Sequence, residues 1–427
     1  MERILSNQIK EKLNQQVMIE GRVYGLRKLG GIGFLILQDR KGLLQVVLEK
    51  VKQDLVLGSI VKIIGLAREE KRAPNGVEVY AEKLEIFSEP LEVLPFDLGK
   101  NDLRVQINTL FDHRPLTLRH ERIKAIFSVS NTILNAYSKI MQKLDFTEIK
   151  TPKILGAASE GGANFFSVNY FGKRAYLAQS PQLYKEICVG AFERVFEIGP
   201  VFRAEKHFTS RHINEYISLD AEIGYINKMQ DIIEILTNVI KFIVEKTREY
   251  NKQELKLYDA ELVEIKKIPT IKLIEAKKII KEKYNYEIQA DTDIDPKGEE
   301  LIGQYAKKEF DSDFIYLTHY PKKNRPFYTM PSKDNPEETE SFDLIFRGLE
   351  LVTGSQRIHD YNQMVKNMEY FKINPKDFDF YLEAFKYAMP PHGGWGMGLE
   401  RFVYKILGLS SVKEATLFPR DVKRLTP

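Results

Sequence analysis

FEIGPVFRAEKHFTSRHINEYISLDAEIGY, residues 196–225, is the stretch on which the fold turns. An apolar run, a charged middle and a second apolar run predict a strand, a loop and a returning strand. On the outgoing limb Arg203 and Glu205 occupy alternate positions, which on a strand puts both side chains on one face. Arg211 and His212 fall in or just after the loop, and Tyr216 and Asp220 on the return. The planar fork of an arginine donates two parallel hydrogen bonds and stays charged, so it suits a phosphate or a carboxylate. An isolated Arg-x-Glu is ordinarily a surface ion pair, so its meaning depends on the surrounding sequence.

Towards the C-terminus, GGWGMGLERFVYKILGL (393–409) reads as a glycine-rich turn opening an apolar helix, with Arg401 in its first turns. Glycines 393, 394, 396 and 398 let backbone approach a ligand closely, and a helix N-terminus favours anions. SFDLIFRGLELVTGSQR (341–357) is strand-like and supplies Asp343, Glu350 and Thr353. These are oxygen donors, the kind Mg²⁺ prefers, and no His/Cys cluster has zinc spacing. Upstream, FTEIKTPKIL (146–155) reads as a helix end running into a strand, with Pro152 at the join. From Ile123 onward, Ile126, Val129, Ile133, Ala136, Ile140 and Leu144 recur at helix spacing. The lysine-rich stretch 228–285 is helical, its charges a solvated face.

Residues 1–100 read as a small β domain. VMIEGRVYGLRKLGGIGFLILQDRKGLLQVVLEK (17–50) alternates apolar and polar positions in runs broken by Gly30–Gly31, Asp39 and Gly42. SIVKIIGLAREEK and GVEVYAEKLEIFSEP continue the rhythm around a turn at Pro74–Gly76. Five short strands suit a small closed Greek-key barrel of the OB-fold type, and periodicity alone leaves a sandwich fragment open. Residues 101–120 read as linker and 121–427 as a second, larger domain. The net charge of +4 from 64 basic and 60 acidic side chains leaves RNA binding undecided. One cysteine, Cys188, excludes an internal disulfide framework. With no apolar run of membrane-spanning length and a polar N-terminus, the expected location is cytoplasmic, away from membranes.

Taken together, these segments resemble the three signature motifs of class II aminoacyl-tRNA synthetases, and the whole chain resembles the aspartyl-tRNA synthetases of archaeal and eukaryotic type. The terminal LFPRDVKRLTP completes the likeness. The resemblance implies an α+β chain: an N-terminal OB-fold for the tRNA anticodon, then a catalytic domain of antiparallel sheet flanked by helices. It also implies a homodimer meeting through the FTEIKTPKIL element. By the same resemblance Arg203 holds the α-phosphate of ATP and the substrate carboxylate, Glu205 and Tyr216 hold adenine, and Arg401 contacts the γ-phosphate. Arg211, His212 and Ile213, with Gly398, Leu399 and Glu400, complete the ATP set. Glu350 is the principal Mg²⁺ ligand, with Asp343 and Thr353 beside it; the family usually has serine where Thr353 stands.

For the amino acid, L-aspartate, SEGGANFFSVNYFGKRAYLAQSPQLYKE (159–186) supplies Ser159 and Glu160 on a closing loop, and Gln182 and Lys185 in the pocket. Asp220 receives the ammonium, Thr353 lies close by, and Arg357 meets the side-chain carboxylate together with Lys185. The chemistry needs no protein base, because the substrate carboxylate is already ionised at pH 7. His207, His212 and His392 are therefore read as structural or substrate-ordering. In the β domain, Phe34 and Gln45 match positions that contact the central anticodon base, Phe34 by stacking. Tyr24 and Pro74 stand where discriminating members carry Trp and Lys, which leans towards charging both tRNA-Asp and tRNA-Asn and implies an amidotransferase downstream. An asparaginyl-tRNA synthetase is the nearest alternative, with SPQLYK and LDAE against it. A non-catalytic RNA-binding paralogue is opposed by the retention of Arg203, Glu350 and Arg401.

Overall fold

The computed structural model describes residues 1–49, 55–100, 102–156, 165–206, 209–289 and 291–427. Ser159, Glu160 and His207 lie outside the described residues. The chain forms two compact units, Met1–Lys124 and Ala125–Pro427.

In the first unit, β1 (Gln16–Leu29), β2 (Ile32–Gln38), β3 (Leu43–Leu48), β4 (Ile60–Glu69) and β5 (Val77–Ser88) close into a barrel in the order β1-β2-β3-β5-β4. Closure removes the sheet edges and decides between barrel and sandwich fragment. Alternate residues fill the interior, among them Val17, Ile19, Leu35, Leu37, Leu44, Val46, Val61 and Ile63. The turn at Pro74–Gly76 forms because Asn75 and Gly76 take φ of 62° and 74°, tolerated by those residue types. The stretch read as linker carries two short helices, Ile107–Asp112 and Arg114–Thr117.

The second unit is built on an eight-stranded sheet. Its strands are β6 (Thr147–Glu148), β10 (Arg194–Phe202), β11 (Glu215–Gly224), β12 (Thr270–Lys272), β13 (Phe314–Thr318), β14 (Ser341–Phe346), β15 (Leu349–Gln356) and β16 (His392–Gly398). β7 (Ile154–Leu155), β8 (Ser167–Tyr170) and β9 (Lys173–Leu177) form a separate small sheet. The large sheet runs β12-β13-β14-β15-β16-β11-β10-β6, antiparallel apart from the parallel outer pairs β12/β13 and β10/β6. Hairpin β14–β15 turns through Arg347 and Gly348 at φ of 47° and 72°, the left-handed pair a tight hairpin demands. Helix Glu121–Lys143 buries Ile126, Val129, Ile133, Ala136 and Ile140 on the stripe its periodicity predicts.

Two local readings change. Residues 392–398 form central strand β16 and not a turn. Glycine is a poor strand former, but here added side chains have nowhere to go: a Cβ on Gly393 would lie 2.3 Å from Ile232 Cδ1, and one on Gly394 would lie 2.0 Å from the carbonyl oxygen of Ala221. Pro152 follows β6 instead of joining helix to strand.

Candidate functional site

Strand register brings the separate motifs together. Asp220 on β11 faces Gly396 on β16, Gly396 faces Thr353 on β15, and Thr353 faces Asp343 on β14. One row thus joins residues from three distant segments. One pleat along, Glu222, Gly394 and Ser355 form the parallel row. Side chains two apart on a strand share a face, so Tyr216, Ser218, Asp220 and Glu222 project together. Gly394 gives Glu222 its room, since a Cβ there would lie 2.5 Å from Glu222 Oε2.

Over this face lies a cavity of about 310 Å³. Its lining contains Gln182, Arg203, Glu205, Arg211, His212, Ile213, Tyr216, Asp220, Glu350, Thr353, Arg357, Gly398, Glu400 and Arg401. The structure therefore gathers most of the sequence-selected residues in one place. Lys185 lies buried beneath the lining, and Leu399 packs into the core.

Arg203 and Glu205 stand just past the end of β10, not on it. Asn214 keeps them in place: Arg203 N donates to Asn214 O at 2.8 Å, and Asn214 Nδ2 donates to the carbonyls of Arg203 (2.6 Å) and Glu205 (3.0 Å). Asn214 N in turn donates to the carbonyl of Arg420, at 2.9 Å. The terminal segment thus braces the loop, a role with no signal in Asn214's own sequence context. The Arg203 guanidinium sits 5.7 Å over the Tyr216 ring and 3.7 Å from Glu205 Oε1.

At one end of the cavity, around Lys185 and Arg357, the buried charges are already paired. Lys185 Nζ donates to Asp220 Oδ1 and to the Trp395 carbonyl, both at 3.0 Å, and lies 3.4 Å from Glu222 Oε2. Arg357 binds Glu222 through Nε (2.8 Å) and Nη2 (3.2 Å). Burial works against the Glu222 charge, but Arg357 and Lys185 outweigh it and hold its carboxyl below the usual range. The expectation of two cations awaiting a carboxylate needs correcting, because Glu222 sits between them. Its place two residues beyond Asp220 was readable, its pairing was not. Asp220 Oδ2 is buried and accepts no hydrogen bond.

At the opposite end Arg401 Nη1 donates to Glu350 O (2.8 Å) and Oε1 (3.3 Å), and Thr353 Oγ1 donates to Glu350 Oε1 at 3.1 Å. Burial opposes the Glu350 charge, while Arg401 and Arg203 overcome it and keep the carboxyl low. Glu299, on helix Pro296–Phe310, accepts from Glu350 N (3.0 Å) and from Arg211. Burial, then the nearby Glu350 charge, pushes Glu299 up to about 7. Nothing in its sequence marks Glu299 as part of the site. Asp343 departs from the predicted metal set, since Arg325 grips both its oxygens at 3.1 and 2.7 Å in a buried pair. The remaining donors, one carboxylate and one hydroxyl, fit Mg²⁺ that takes its other ligands from phosphate and water. Among the described residues no three His, Cys, Asp or Glu side chains converge as a complete metal shell.

Glu400 also differs from expectation. Its side chain turns inward, with both oxygens 3.1 Å from Ile217 N. Burial pushes this carboxyl up to about 8, with the Glu215 charge adding to the effect. The unfolded chain releases the proton near 4.5 and the folded chain near 8, so this group lowers stability as pH rises through that window. Glu400→Gln keeps an acceptor for Ile217 without the charge. It is expected to leave the melting temperature unchanged at pH 4.5 and raise it by roughly 5 °C at pH 8.5. A difference independent of pH in thermal denaturation counts against this assignment.

In the first unit, Phe34 and Gln45 share the outward face of β2 and β3, both half-buried. Gln45 Nε2 donates to Glu78 Oε2 at 2.7 Å, which leaves Oε1 as the acceptor end of the amide. Pro74 lies at the β4–β5 turn. Tyr24 does not reach this surface: it is only 8% exposed, and burial pushes its hydroxyl up to about 12. Its proposed part in choosing between anticodons is withdrawn, because the ring packs inside the unit.

Comparison with known proteins agrees with this arrangement. A family profile described as tRNA synthetases class II (D, K and N) matches residues 106–422, and one described as an OB-fold nucleic acid binding domain matches residues 17–87. The chain is 43% identical to the aspartate–tRNA(Asp/Asn) ligase of Thermus thermophilus, covering 100% of each chain. It is 39% identical to the aspartate–tRNA(Asp) ligase of Pyrococcus abyssi, covering 99% of each. The crystal structure of asparaginyl-tRNA synthetase from Pyrococcus horikoshii with asparaginyl-adenylate superposes with a TM-score of 0.93 at 30% identity, covering 100% of each chain. The chain belongs to the class II aminoacyl-tRNA synthetases, among the aspartate–tRNA ligases.

Proposed function

We propose that the protein activates L-aspartate with ATP and attaches it to tRNA-Asp and to tRNA-Asn. The observation that carries the amino-acid half is the orphaned Asp220 Oδ2 beside a neutral set of Lys185, Arg357, Asp220 and Glu222. Aspartate adds an ammonium for Asp220 and a carboxylate for Arg357 and Lys185, so the buried charges stay balanced. Asparagine adds only the ammonium and leaves one positive charge uncompensated. Such an imbalance costs about 3–5 kcal/mol, on the order of a hundredfold to a few thousandfold in selectivity, between molecules of nearly equal shape.

Arg203 would hold the α-phosphate and Arg401 the outer phosphates, while the substrate carboxylate attacks the α-phosphorus and pyrophosphate leaves. The terminal ribose hydroxyl of tRNA then displaces AMP. Positioning and charge neutralisation supply the rate. Glu350 and Thr353 would hold Mg²⁺, which neutralises phosphate charge when bound. Edge strand β6, with Thr147 and Glu148 exposed, supports self-association through the FTEIKTPKIL element. Dual tRNA use is supported by relatives named as Asp/Asn ligases, from Thermus thermophilus, Deinococcus radiodurans and Aeropyrum pernix. An amidotransferase acting on aspartyl-tRNA-Asn would then follow.

The test is charging of purified tRNA-Asp and tRNA-Asn with labelled aspartate, with labelled asparagine in parallel. Aspartate on both is expected. Aspartate on tRNA-Asp alone limits the enzyme to one tRNA, and asparagine on tRNA-Asn overturns the substrate assignment.

A further inference from the structure

Beneath the cavity, three elements converge on one fully buried carboxylate. Glu186, on helix Gln182–Phe192, accepts from Gln182 Nε2 at Oε1 (2.7 Å) and from Tyr381 Oη at Oε2 (2.8 Å). His392 Nε2 lies 3.0 Å from the same Oε2, and the other ring nitrogen, Nδ1, lies 2.8 Å from the carbonyl oxygen of Pro390. A neutral imidazole carries one N–H, yet this ring faces an acceptor at each nitrogen. The doubly protonated ring satisfies both.

The groups around His392 point the same way. Glu186 faces it from the helix, Glu222 from β11, Tyr381 from helix Asp379–Lys386, and Arg357 and His359 from the segment after β15. Burial opposes a charge on the ring, but Glu186 and Glu222 outweigh burial and raise its titration above that of an ordinary histidine. With His392 charged, the cations Lys185, Arg357 and His392 match the carboxylates of Asp220, Glu222 and Glu186 one for one.

We propose that His392 is a positioning residue for the substrate's side-chain carboxylate, acting through Glu186 and Gln182 on Arg357. The imidazolium anchors Glu186, and Glu186 takes the Nε2 end of the Gln182 amide. Gln182 Oε1 is thereby left facing Arg357 Nη2 at 3.4 Å, acceptor towards donor. Without Glu186 as acceptor the amide is free to flip, which would put two donors face to face and displace the guanidinium. The inference rests on the aspartate reading above.

Three measurements on the full chain test it. Side-chain ¹⁵N NMR of histidine-labelled protein, with His392→Gln to assign the signal, is expected to show both ring nitrogens protonated at pH 8. Pyrophosphate exchange is expected to show aspartate KM raised roughly tenfold or more in Glu186→Gln and His392→Gln, with ATP KM within about twofold of wild type. The charged ring is present below its raised pKa and lost above it. Wild-type aspartate KM should therefore rise at alkaline pH through a one-proton step that His392→Gln lacks. A singly protonated ring at pH 8, an unchanged aspartate KM, or equal rises for both substrates overturns the proposal. If His392→Gln fails to fold, Glu186→Gln, which removes the acceptor at Nε2, shifts the same ring's signals and the same alkaline step and serves for both assignments. Failure of the wild type to activate aspartate at all defeats the substrate reading instead, and the NMR result stands apart from it.

Discussion

Lys185→Met is expected to cut kcat/KM for aspartate by about 10²–10³ in pyrophosphate exchange while leaving ATP KM nearly unchanged. The side chain is 2% exposed and its ammonium touches two carboxylates, Asp220 at 3.0 Å and Glu222 at 3.4 Å. Methionine fills similar volume without the charge, so the loss reports electrostatics and not a cavity. Because aspartate adds a further carboxylate here, its binding suffers more than that of asparagine, and the ratio of their rates should narrow. Stability falls as well, since two buried carboxylates lose a partner. The double variant Lys185→Met/Glu222→Gln separates the effects. It removes one cation and one anion together, so the melting temperature should recover most of its loss while aspartate use stays poor. Recovery of both would make Lys185 a structural counter-ion to Glu222 with no part in choosing the substrate.

The pocket explains why some of this was readable in the chain and some was not. Strands β10, β11, β14 and β15 announce themselves as short runs rich in apolar residues, with Ile217, Leu219, Ala221 and Ile223 alternating with polar positions along β11, and that pattern is local. Arg203, Glu350 and Arg401 stood out because their segments resemble the class II signature motifs; taken alone, each reads as an ordinary charged residue. Strand β16 did not, because local propensity argues against a strand core with four glycines in seven residues, HGGWGMG (392–398). Ile232 beside Gly393, and the Ala221 carbonyl and Glu222 beside Gly394, compel two of those glycines, and that is tertiary information. The same holds for charge partners. Glu222 lies between Lys185 and Arg357, separated from them by 37 and 135 positions in sequence, and only the sheet register places it there. Glu299 reaches Glu350 across 51 positions with no motif around it. Tyr24 shows the converse error: a position matched to a binding surface turned out to be buried, beside Asp97 and Glu121.

Arg203→Ala is expected to lower aspartyl-adenylate formation by about 10³ or more, with only a small loss of thermal stability. The guanidinium side chain is 44% exposed, and Glu350, whose charge it helps to hold, keeps Arg401 as its nearer partner. The backbone of residue 203 keeps its bonds to Asn214, which do not depend on the side chain. The loop should therefore remain in place and the defect should fall on kcat, where charge develops at the α-phosphorus. Arg203→Lys keeps the charge but loses the two-pronged donor, and recovery should be less than tenfold. Affinity for tRNA measured by filter binding should stay within about twofold, because Phe34 and Gln45, the residues expected to meet the anticodon, belong to the other unit. A matching loss of tRNA affinity would mean that Arg203 contacts the nucleic acid and not the α-phosphate. A rise in ATP KM with kcat intact would mean that it binds ground state and transition state alike, leaving Arg401 as the residue to test for the rate.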